Sequence, residues 1–64
     1  MSHSQIAAFA QAAWKLLIDA EEETDAIDIG DAIDLTPGGA NLSDADREAV
    51  AAIMQQMADD ATAV

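Results

Sequence analysis

The chain has 64 residues, no cysteine, and thirteen acids against two bases, giving a net charge of -11 at pH 7. That length holds one domain, residues 1–64. The lack of cysteine excludes disulfides and thiolate metal sites, and Lys15 and Arg47, the only bases, cannot build the basic patch that direct nucleic-acid binding requires.

The charge exceeds the magnitude of about 2–8 that suits a small domain. It repels phosphates and anionic lipid, and it favours a strongly basic partner met by steered, salt-sensitive association. The apolar share of 52% argues against a disordered chain, although much of it is alanine. A chain this short buries only about 60% of its unfolded surface, so packed helices, oligomerisation or a partner must stabilise it.

Residues 4–22 are expected to form the first helix, with Ser4 or Ser2 as N-cap. Ile6, Phe9, Ala10, Ala13, Leu16, Leu17 and Ala20 recur at the spacing of one helix face. Trp14 and Ile18 widen that stripe, and Trp14 suits either the flank of a core or an interface anchor. Glu21, Glu22 and Glu23 close the helix, where its dipole disfavours anions.

The stretch from Glu21 to Asp34, EEETDAIDIGDAID, carries Glu21, Glu22, Glu23, Asp25, Asp28, Asp31 and Asp34 and no base. Within it, apolar and acidic residues alternate at the strand period. A two-residue turn at Gly30-Asp31 would put an acid on the apolar face. A three-residue loop, Gly30-Asp31-Ala32, pairs Ile29 with Ile33 and Ile27 with Leu35 instead. A short β-hairpin over residues 26–35 is therefore the expectation, with Asp28 facing Asp34 on its outer side. The alternative is a short helix capped by Thr24, with Ala26, Ile29 and Ile33 inward; Gly30 costs that helix roughly 1 kcal/mol.

Thr36-Pro37-Gly38-Gly39-Ala40-Asn41 reads as a turn, and lacks the lysine and glycine spacing of a phosphate loop. Ser43-Asp44-Ala45-Asp46 opens the second long helix, residues 44–61, as a capping-box variant. Asp44, Asp46 and Glu48 sit where the dipole favours them, and Val50, Ile53, Met54, Met57 and Ala61 form its apolar stripe. The fold class is thus α+β, two helices around a central hairpin; the alternative is all-α, with three short helices.

The residues offer little for catalysis. His3, the lone histidine, lies near the start of the chain, and a sheltered cleft for paired carboxylates is hard to build at this size. Asp25, Asp28, Asp31 and Asp34 recur every three residues, which fails the alternate spacing and closing glutamate of an EF-hand loop. No enzyme, metal site or cofactor is expected. No export signal is read in Met1–Gln5, and no apolar run reaches the roughly 18 residues of a membrane helix. The acid rows instead match what holds phosphates in another protein: Lys and Arg residues spaced for a dense line of negative charge.

In size, charge and the placing of EEETDAIDIGDAID between alanine-rich helices, the chain resembles the small acidic anti-CRISPR inhibitors, above all those acting on type I (Cascade-type) complexes. That resemblance implies a cytoplasmic protein of a bacterial host that blocks the DNA-binding surface of a nucleic-acid-handling complex. The partner-binding residues are expected to be Glu21, Glu22, Glu23, Asp25, Asp28, Asp31 and Asp34, extended by Asp44, Asp46 and Glu48. Two other readings fit the same residues: a homodimeric assembly module with a solvated acidic face, and an antitoxin-like partner of a basic protein.

Overall fold

The computed structural model describes residues 2–23 and 26–62, with the backbone alone at Glu23 and Thr62. Helix α1 spans His3–Glu23, α2 Ile29–Leu35 and α3 Asp44–Thr62, with a single 3-10 turn at Gly39–Asn41. Among the described residues there is no strand, so the chain is all-α and the expected hairpin is overturned.

Both long helices start where hydroxyl caps dictate. Ser2, rather than Ser4, caps α1. Its Oγ accepts the Gln5 N–H at 3.2 Å, while the Gln5 side-chain oxygen accepts the Ser2 N–H at 2.8 Å. This reciprocal pair satisfies two donors that a bare helix start leaves without partners. At α3 the Ser43 Oγ accepts the Asp46 N–H at 3.2 Å, as the capping-box reading expects.

Residues 29–35 form a helix because of which side chains the long helices can bury. Ala32 and Ile33, adjacent in sequence, are both fully buried. A strand would send them to opposite faces; a helix turns both toward α1 and α3. A hairpin with no third strand is also marginal in water. The helix differs from the alternative read in the sequence. Asp28 stands at its N-cap in extended backbone, with no side-chain cap bond. Ala26 is exposed and precedes it, and Thr24 lies outside the described residues. Leu35, paired inward with Ile27 in the hairpin, instead points outward and is 65% exposed.

A tight turn joins α2 to α3. Thr36 is extended, as the residue before proline must be, and its carbonyl accepts the Gly39 N–H at 2.8 Å. Gly38 holds φ 88, ψ -8, completing a type II turn with Pro37 at its second position. The Thr36 side chain is buried and its hydroxyl donates to the Ala32 carbonyl at 2.8 Å. Gly39 is buried against the end of α2, where an added Cβ would overlap the Ile33 carbonyl oxygen.

The core is small and partly built of alanine. Ala10, Ala13 and Leu17 of α1, Ala32 and Ile33 of α2, and Val50 and Met54 of α3 are its buried members. Alanines at the contacts let the helices approach closely, and Ile33, Val50 and Met54 fill most of the remaining volume. Ile6, Phe9, Trp14, Ile18, Ile27, Ile29, Leu42 and Ile53 pack around it half-buried, which places Trp14 on the flank of the core.

Candidate acidic protein-binding surface

The helical form of residues 29–35 changes how the acids are presented. Asp31 and Asp34 lie one turn apart on the exposed side of α2, and Asp28 marks its start. Three residues of helix advance about 4.5 Å along the axis, in place of the ~6.8 Å repeat of acids on a strand. The expected repulsion between Asp28 and Asp34 across a hairpin does not arise.

One acid of α2 meets a cation of α3. Arg47 extends from the second turn of α3 to α2, where one guanidinium nitrogen donates to Asp34 Oδ1 at 2.5 Å. The other donates to the Gly30 carbonyl at 3.2 Å. The two side chains are 36% and 53% exposed, so the ion pair lies at the surface. Arg47 also feels the negative charges of Asp31 and Asp44. Its hydrogen bond to Asp34, supported by those charges, raises its pKa above the ordinary arginine value. The same hydrogen bond holds the Asp34 carboxyl below its ordinary 3.8, against an opposing effect of desolvation.

Asp34 is therefore paired with Arg47, and Asp31 and Asp44 act on it only through their charge. Asp44 and Glu48 are exposed on the first turns of α3. Asp46 is half-buried there, so it belongs more to the helix start than to an open surface. Glu21 and Glu22 are exposed at the end of α1, on a separate element. The Glu23 side chain and all of Asp25 lie outside the described residues.

Arg47 is the residue that sequence reasoning missed. The signal was its position: a cation in the opening turns of a helix, among Asp44, Asp46 and Glu48, runs against the helix dipole. Such a residue has a reason to reach elsewhere for its partner.

Among the described residues, no three His, Asp or Glu side chains converge as a metal site would need. No described helix is long and apolar enough to cross a membrane. No protein-family model matches the chain, and no curated protein or solved structure is similar to it.

Proposed function

We propose that this chain is a small acidic inhibitor of the anti-CRISPR kind, acting in the cytoplasm of a bacterial host. It covers the basic surface with which a type I complex binds target DNA. The observation that carries this reading is the group of exposed carboxylates at the start of α2 and on α2 and α3, Asp28, Asp31, Asp44 and Glu48, beside an Arg47 already engaged by Asp34 and the Gly30 carbonyl. Among the described residues, no ion pair is found for the remaining acids of this group. Lys and Arg residues that normally hold phosphates are suited to neutralise them. Each exposed pair contributes only about 0–1 kcal/mol, so the effect must be collective.

The test is target-DNA binding by a purified type I complex with increasing amounts of this protein. The expected result is loss of DNA binding at near-stoichiometric protein. A variant reversing Asp28, Asp31 and Glu48 to Lys, with Asp34 kept to preserve its tie to Arg47, should retain its helical signal and fail to inhibit. DNA binding unaffected by the wild-type protein, or equal inhibition by the reversed one, contradicts the reading.

A further inference from the structure

The three helices are not equal in what holds them. The long pair, α1 and α3, each has its own hydroxyl cap, and the two pack directly on each other through Ala10, Ala13, Leu17, Val50 and Met54. Helix α2 has seven residues, well short of the roughly 12–15 at which an isolated helix becomes even marginal in water. It persists because Ala32 and Ile33 are buried and because Arg47 grips it from α3.

The segment containing α2 is bonded mainly to itself. The Thr36 hydroxyl and N–H both donate to the Ala32 carbonyl, and the Gly39 N–H returns to the Thr36 carbonyl. The Asn41 N–H then donates to the Gly38 carbonyl. Gly39 is seated against Ile33. Helix α2, the type II turn and the 3-10 turn thus make one piece, Ile29–Asn41. Its polar ties to α3 through Arg47 are an exposed ion pair with Asp34, for which water and salt compete, and a part-buried hydrogen bond to the Gly30 carbonyl.

We propose that Ile29–Asn41 is a strap that opens and closes as a unit over the α1–α3 pair, with Arg47 as its latch. When the strap lifts, α2, too short to persist on its own, loses its hydrogen bonds together with its contacts with the pair. The groove lined by Ala10, Ala13, Leu17, Val50 and Met54 is then uncovered. Such openings lie below global unfolding in free energy, as the sub-global openings of small domains do.

Native-state hydrogen exchange on the whole chain tests this. The amides of Ala32 and Thr36 report on the strap; those of Ala13, Leu17, Val50 and Met54 report on the long helices. The strap amides should exchange at least about tenfold faster than global unfolding allows, with little dependence on added denaturant. Arg47→Gln should speed them by roughly threefold to tenfold. Ser2→Ala, which weakens α1 equally in the open and closed forms, should speed the long-helix amides and leave the strap unchanged. Should Arg47→Gln fold poorly, Asp34→Asn breaks the same tie, and the wild-type exchange pattern is decisive by itself. A single exchange free energy for all these amides, equal acceleration of both sets by Ser2→Ala, or strap amides indifferent to loss of the latch overturns the proposal.

Discussion

The guanidinium of Arg47 on α3 is hydrogen-bonded to the Asp34 carboxylate on α2 at 2.5 Å, thirteen residues away in sequence. This pair makes one acid of the surface structural while its neighbours remain open. It also gives the protein a measurable response to acid. The Asp34 carboxyl lies below 3.8 in the folded chain, so folding favours its ionised form. Its contribution is fully present above the unfolded value and is lost as pH falls through the folded one. The stability advantage of wild type over Asp34→Asn should therefore be constant at neutral pH and shrink below about pH 3.8. Thermal melts of the two proteins across that range check it. In a double-mutant cycle, Asp34→Asn and Arg47→Gln should couple, and the coupling should weaken at high salt.

Ile33 and Leu35 separate the helix from the hairpin. In the hairpin both face inward; in α2 Ile33 is buried and Leu35 is 65% exposed. Ile33→Ala should cost about 2–5 kcal/mol, and Leu35→Ala should change stability by no more than about 0.5 kcal/mol. Denaturant melts measure both. Equal losses would restore the hairpin.

Adjacent glycines in the turn serve different ends. Gly38 has φ 88 with open space where a Cβ would go, so Gly38→Ala meets only backbone strain, about 1–2 kcal/mol. At Gly39 a Cβ would overlap the Ile33 carbonyl. Gly39→Ala should therefore cost more than Gly38→Ala, by forcing the turn away from the end of α2. Comparing their melting temperatures decides the order.

Gly30 is the opposite case. It lies within α2 without a positive φ, and an added Cβ would sit an ordinary 3.6 Å from the Arg47 guanidinium. Gly30→Ala should stabilise the protein by up to about 1 kcal/mol through its higher helix propensity. A lower melting temperature would mean that the Arg47 contact with Gly30 is tighter than its spacing indicates.

The long helices were legible because caps and periodicity agreed: Ser43 stands where the first apolar turn of α3 requires it, and Val50 and Met54 repeat one turn apart. Residues 26–35 were not, because Ile27, Ile29, Ile33 and Leu35 satisfy a strand period over a short window. Within the same window Ile29 and Ile33 also satisfy a helical one. What decided between them was the groove between α1 and α3, which no local pattern encodes. Of the acids of α2 and α3 expected at the surface, Asp28, Asp31, Asp34, Asp44 and Glu48 are exposed, whereas Asp46 is half-buried. The hold of Arg47 on Asp34 and on the Gly30 carbonyl depends on contacts thirteen and seventeen residues apart in sequence, and spacing cannot reveal those.

The central claim, that open carboxylates on α2 and α3 seek a cationic surface, is tested most directly by the affinity of this protein for a purified, DNA-free type I complex, titrated from low to high salt. The account predicts that log affinity falls steeply with log salt, and that reversing Asp28, Asp31 and Glu48 to Lys removes both the binding and the slope. An affinity indifferent to salt, or unchanged by the reversal, would contradict it.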